Sequence, residues 1–208
     1  MSSASMKPGL PGQAVSIAQP AWVRASHWLN ALGVILMVLS GWRIYDASPI
    51  FPFRFPPSIT LGGWLGGALQ WHFAAMWLLA VNGIVYLALN LATGRLRRRF
   101  WPLSPAAVFR DLGAALRGQL SHDDPFHYNA VQKAAYVGAV LLLVLLVASG
   151  LVVWKSVQFP LLRELMGGFE SARVVHFVAM AGIVLFFAVH VAMVALVPKS
   201  LRLMILGK

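Results

Sequence analysis

No cysteine occurs anywhere in this chain, which excludes disulfides, thiolate-bound metals and cysteine-held iron–sulfur clusters. Any redox chemistry therefore has to rest on histidine. Acidic residues are nearly as scarce, six against seventeen lysines and arginines in 208 residues, and none falls within a long apolar segment. A dinuclear site built on carboxylates inside such segments is excluded with them. Charged residues make up 11% of the chain and hydrophobic ones 59%, the balance of an integral membrane protein and not of a soluble domain. No small-residue cleavage pattern follows the first apolar run, so that run is expected to stay as a helix.

What is present is organised by apolar length. The net charge of +11 would suit a nucleic-acid ligand, but the basic residues cluster in connections between apolar segments, which is the pattern of membrane orientation. Four segments are long enough to cross a hydrocarbon core as helices. The first lies near Trp22 to Tyr45, with 18 uncharged residues between Arg24 and Arg43; the second runs from about Gln70 to Ala92. The third covers about 128–154, with 21 uncharged residues between Lys133 and Lys155, and the fourth has 25 between Arg173 and Lys199. Residues 1–21, rich in Pro, Gly and Ser, read as a flexible tail; 22–199 form one four-helix domain, and 200–208 a short C-terminal tail. After the basic run GRLRRRF, Ser104–Pro105 is a good helix start. Val108, Phe109, Leu112, Leu116 and Leu120 then make one stripe, as in an amphipathic helix lying on a membrane surface. The expected fold is all-α: a four-transmembrane-helix bundle with an additional cytoplasmic amphipathic surface helix.

The connection over 46–69 interleaves Pro49, Pro52, Pro56 and Pro57 with Phe51, Phe53 and Phe55. Proline at that density excludes a regular helix. Its apolarity suits either the membrane interface or a docked partner. Orientation follows from counting basic residues. Lys7, Arg24, Arg95, Arg97, Arg98, Arg99, Arg110, Arg117, Lys133, Lys199, Arg202 and Lys208 fall on one side, twelve against the five of Arg43, Arg54, Lys155, Arg163 and Arg173. Both termini are therefore expected in the cytoplasm of a bacterial inner membrane.

Ionisable side chains inside membrane helices are functional candidates by default. His176 and His190 share the fourth segment, 14 residues apart, which returns to within about 40° of one face and spans ~21 Å. Alternating helix direction then sets depth. His27 and His190 lie near the cytoplasmic face, and His72 and His176 near the other. Two matched layers of histidine are what a four-helix bundle needs to hold two bis-histidine b-type haems. The plain alternative is four helix-end histidines satisfied by water or carbonyls. Arg24 and Arg173 each precede a histidine by three residues, as partners for haem propionates or as ordinary snorkelling cations. Gly33, Gly41 and Gly83 make room for porphyrin faces or for helix packing. His122, in the run SHDDP with Asp123, Asp124 and nearby His127, reads as a solvated turn and not as a ligand.

RASHWLN, LQWHFAAMW, YNAVQKAAY and the His-x13-His of the fourth segment resemble the cytochrome b561 superfamily over essentially all of the chain after the first twenty residues. The likeness is to b-type cytochrome subunits of nickel–iron hydrogenases and formate dehydrogenases, and most of all to thiosulfate-reductase-like cytochromes b. It implies axial haem ligands at His27, His72, His176 and His190, two haems b, and a redox partner outside the membrane, of the periplasmic molybdopterin type. The chain would then be an electron-transfer subunit between that partner and membrane quinone. The alternative, similar to other small cytochromes b561, is a stand-alone superoxide:quinone oxidoreductase, which a basic, solvent-reachable pocket beside the outer haem would favour. Asn129 and Gln132 share one face at the cytoplasmic start of the third helix, and YNAVQK looks like the segment lining the quinone pocket of formate dehydrogenase cytochromes. Both amides can donate to quinone oxygens, or Asn129 simply caps its helix.

Overall fold

The computed structural model describes residues 19–94 and 130–207, apart from the side chains of 130–134 and 199. The expected surface helix after Ser104, most of the N-terminal tail, His122, His127, Asn129 and the side chain of Gln132 lie outside the described residues. Four long helices cross in order: α1 (Ala21–Ala47), α2 (Leu65–Ala92), α3 (Ala130–Lys155) and α4 (Phe169–Leu196). All four contain a segment apolar and long enough to span a membrane. In hydrocarbon a backbone must satisfy its own polar groups, and the helix does so within one segment. No strand occurs among the described residues.

Contacts between individual residues fix the topology. Gly33 faces Leu79, and Asn82 reaches Ser26 and Asn30, so α1 and α2 run antiparallel. Gly182 faces Leu142 while His176 meets Ser149, so α3 and α4 do the same. Phe73 with Trp154 and Tyr86 with Tyr136 join α2 to α3; Tyr45 with Phe177 and His27 with His190 join α1 to α4. The result is an up-down-up-down bundle. Its backbones approach closely within the α1–α2 and α3–α4 hairpins and much less between them.

Small residues are prominent in the contact surfaces, beside a few larger ones such as Val152 and Ile183. Ser40, Ala68, Ala75, Ser149, Ala172 and Ala179 are buried, whereas Ile84, Val85, Leu141 and Leu185 are exposed. That inversion suits a bundle whose outer solvent is lipid, where close backbone packing holds helices together. Buried Asn82 donates from Nδ2 to the Ser26 carbonyl at 2.9 Å and to Asn30 Oδ1 at 2.8 Å, locking α1 to α2.

The α1–α2 connection folds back on the bundle. The Tyr45 hydroxyl lies 3.2 and 3.1 Å from the Phe51 and Phe53 carbonyls, and the Phe55 N–H donates to Asp46 Oδ1 at 2.9 Å. Phe55 stacks on Trp42, and Phe51 and Phe53 pack against Phe177 of α4. This aromatic cap marks the loop end of the bundle; the opposite end, where α1 begins and α4 finishes, is the terminal end. Helix α2 starts at Leu65, five residues before the expected Gln70. The glycines permit it: a Cβ on Gly67 would stand 2.3 Å from the Gly62 carbonyl oxygen. Among the described residues two further α-helices stand outside the sequence expectation. Pro160–Leu165 is a short helix at the loop end, and α5 (Pro198–Leu206) returns at the terminal end. The latter is held at its C-terminus by α1, since Arg24 donates to the Ile205 carbonyl and Trp28 Nε1 to the Met204 carbonyl at 3.2 Å. Cationic and N–H donors at a helix C-terminus satisfy its orphan carbonyls.

Gly62 and Gly63 both have positive φ, +108° and +71°, but only Gly62 faces backbone, with its Cβ position 2.3 Å from Ala68 N. Gly63→Ala is expected to cost about 1–2 kcal/mol, the left-handed penalty alone. Gly62→Ala is expected to cost clearly more and to unseat the start of α2. Melting of the two purified variants in detergent checks this, and equal melting temperatures would contradict it.

Candidate functional site

Each hairpin seats one histidine against its neighbouring helix in the same way. On α2, His72 lies across Ser40–Gly41 of α1: its Nδ1 is 3.0 Å from Ser40 Oγ, and a Cβ on Gly41 would be 3.5 Å from the ring. On α4, His176 lies across Ser149–Gly150 of α3, with Nδ1 3.0 Å from Ser149 Oγ and the Gly150 Cβ position 3.2 Å from the ring. An added Cβ at Gly150 would press on the imidazole, whereas at Gly41 it would make ordinary contact with the ring. The two histidines are at the same loop-end level, next to the Phe73–Trp154 and Tyr45–Phe177 contacts.

The other two histidines meet directly. His27 near the start of α1 and His190 near the end of α4 have ring centroids 6.0 Å apart at 62°. Trp28 stands edge-on to His27 at 5.4 Å, and Phe186 stacks on His190 at 6.0 Å. Among the described residues no group of three His, Asp or Glu side chains gathers as a metal site. The imidazoles occur in twos, at two levels of one bundle, along a continuous α4 that carries one member of each. Such a pair can hold one metal from opposite sides.

The arginines are engaged elsewhere. Arg173 donates to the Ser48 carbonyl at 2.5 Å and to Glu170 Oε2 at 2.7 Å, tying the start of α4 to the end of α1. Arg24 holds the end of α5, yet its Nε is buried without a partner. Of the glycines, Gly41 touches a histidine, Gly33 meets Leu79, and Gly83 has nothing within 4 Å. Sequence reasoning missed Ser40, Ser149 and Gly150. Their signal was a Ser–Gly dipeptide in both α1 and α3, each at the depth of a histidine on the following helix. At the terminal end a further polar pair, the Tyr86 and Tyr136 hydroxyls 3.1 Å apart, bridges α2 and α3.

A cavity of about 320 Å³ opens at the loop end, lined by Arg43, Asp46, Ala47, Arg54, Phe55, Pro57 and Leu65.

The chain matches the family described as prokaryotic cytochrome b561 over residues 18–207. A curated relative from Azospira oryzae, named a putative protein-methionine-sulfoxide reductase subunit YedZ1, is 62% identical over 188 residues, 90% of this chain and 95% of the relative. No solved structure matches the chain.

Proposed function

The chain belongs to the prokaryotic cytochrome b561 family, haem-b membrane electron-transfer proteins, and from that premise we propose that it carries electrons from membrane quinol through two haems b to an oxidoreductase on the loop side. The observation that carries this reading is the pairing of imidazoles at two depths. A metal holding two imidazole nitrogens at ~2 Å each spaces them ~4 Å apart, and a centroid separation of 6.0 Å for His27 and His190 is of that scale. His72 and His176 fit the same use, each ring set against a glycine that leaves it room. Bound haem supplies reversible one-electron exchange at its iron.

The protein's own groups do the rest. His27 with His190, and His72 with His176, hold the two irons. Arg24 has an unpartnered Nε to offer an anionic propionate, whereas Arg173 already shares its donors between Ser48 and Glu170; Arg24 is the better candidate of the two. Quinone sits at the terminal end, walled by Asn129 and Gln132. The Tyr86–Tyr136 pair, level with His27 and His190 in the bundle, supports a proton-donating environment there.

The count of basic residues supports a cytoplasmic terminal end and an outward-facing loop end in an inner membrane. The aromatic cap, fastened through Tyr45 and Asp46, gives the partner a firm platform. The relative's name supports a partner that reduces methionine sulfoxide in protein, hence electron flow outward. The sequence resemblance adds that the partner would be a molybdopterin enzyme. A second reading is favoured by the loop-end cavity. Arg43 and Arg54 there would draw superoxide, and the chain would then pass electrons inward as a superoxide:quinone oxidoreductase.

Co-purification from native membranes, followed by reduction of methionine sulfoxide with quinol as donor, tests the leading reading. The expected result is a bound reductase whose turnover needs this subunit. Haem reduction by superoxide with no partner present would replace it with the second. Wild-type protein is expected to hold two haems b, and His72→Ala to lose one while keeping the other; a wild type with one haem or none would overturn the assignment. Asn129→Ala and Gln132→Ala are expected to keep both haem spectra and slow haem reoxidation by a quinone analogue about tenfold or more. Unchanged kinetics in both would remove the quinone from that end.

A further inference from the structure

Resting on the two-haem reading, we propose that Ser40 and Ser149 are matched positioning residues: they fix the tautomer and ring plane of His72 and His176, turn both Nε2 atoms toward one iron, and hold that haem at a lower potential than it would otherwise have.

The donor count carries the assignment. A serine hydroxyl has a single proton. Ser40 Oγ is 2.5 Å from the Leu36 carbonyl and 3.2 Å from the Met37 carbonyl, and Ser149 Oγ is 2.6 Å from the Leu145 carbonyl and 3.3 Å from the Leu146 carbonyl. Carbonyls only accept, so each hydroxyl proton goes back into its own helix. Both serines are fully buried at 0% exposure, so no water competes for the oxygen. What each Oγ offers the imidazole at 3.0 Å is then a lone pair. The nitrogen facing it must carry the hydrogen. Nδ1 is the donor in both residues, and Nε2 is left bare for metal.

The device is duplicated. In each hairpin the first helix supplies Ser–Gly, the serine to orient and the glycine to leave space, and the second helix supplies the histidine. The terminal-end layer is built differently. Among the described residues nothing hydrogen-bonds to His27 or His190, whose neighbours are aromatic rings and each other. An N–H donated from a metal-bound imidazole to an oxygen raises the basicity of the ligand, and a more basic ligand favours the oxidised metal. The loop-end haem should therefore carry a serine-dependent lowering of potential that the terminal-end haem lacks.

The test is a redox titration of the purified protein with EPR of the oxidised haems, on wild type, Ser40→Ala, Ser149→Ala and Ser40→Thr. Each alanine variant is expected to raise the midpoint potential of one haem, lowering its iron(III)/iron(II) ratio at a fixed ambient potential by as much as tenfold, which is ~59 mV for one electron, and to alter that haem's low-spin EPR signal. The affected haem is the one missing in His72→Ala, and Ser40→Thr, which keeps a hydroxyl, is expected to stay near wild type. Two haems present with potentials and EPR unchanged in both alanine variants would overturn the inference alone. So would a shift on the haem that His27→Ala removes, or Ser40→Thr behaving as Ser40→Ala. If Ser40→Ala fails to hold haem, Ser149→Ala and Ser40→Thr still decide by the same two readouts. A wild type with fewer than two haems would instead overturn the reading on which the inference rests.

Discussion

Inside hydrocarbon a polar group must find its partner within the protein, and nearly everything described here follows from that constraint. It makes the four long segments helical. It sends the hydroxyls of Ser40 and Ser149 back to their own carbonyls and gives Asn82 its two acceptors on α1. It also makes imidazole expensive unless seated, which is why a histidine in such a helix carries so much information. The same constraint operates at the ends: Arg24 and Trp28 take up carbonyls at the close of α5, and Asp46 takes the Phe55 N–H in the connection.

Packing then divides the labour. Many Leu and Val side chains face outward, where lipid is as good a neighbour as another side chain, and much of the closest helix contact falls to Ala, Ser and Gly. Dispersion and a few hydrogen bonds, not hydrophobic burial, hold such a bundle together; interhelical hydrogen bonds in membranes contribute on the order of 0.6 kcal/mol each. The aromatic cap is the exception. Trp42, Tyr45, Phe51, Phe53, Phe55 and Phe177 form a cluster of rings from three parts of the chain, closer to the interior of a soluble domain than to the rest of this molecule.

The four spans and the all-α class were legible because uncharged length is a one-dimensional property. The depth of each histidine was legible for a similar reason: helix direction alternates and the rise per residue is constant. That arithmetic brings His27 and His190 to the same level, and the structure has their rings 6.0 Å apart. The serine seats were not legible in this way. A serine in an apolar helix ordinarily bonds its own carbonyl and says nothing more, and only a neighbour on another helix shows that Ser40 and Ser149 do both. The early start of α2 depended on Gly67 passing close to the Gly62 carbonyl, a contact between two glycines that no periodicity reports. Helix α5 follows a proline and is only nine residues long, so its stability comes from Arg24 and Trp28 and not from its own composition.

The backbones come together closely within each hairpin and sparingly between hairpins, and this has a consequence for biogenesis. Chains are made from the N-terminus, and units that pack on themselves can settle as they emerge. The α1–α2 unit completes the cradle for His72, and the α3–α4 unit the one for His176, each from residues of its own. His27 and His190 come from different units, as do the partners in the Tyr45–Phe177 and Phe73–Trp154 contacts, so all of these form only when the two inserted halves meet. Assembly therefore has a natural order, in which the separate seats of His72 and His176 are complete before either pair of imidazoles is brought together.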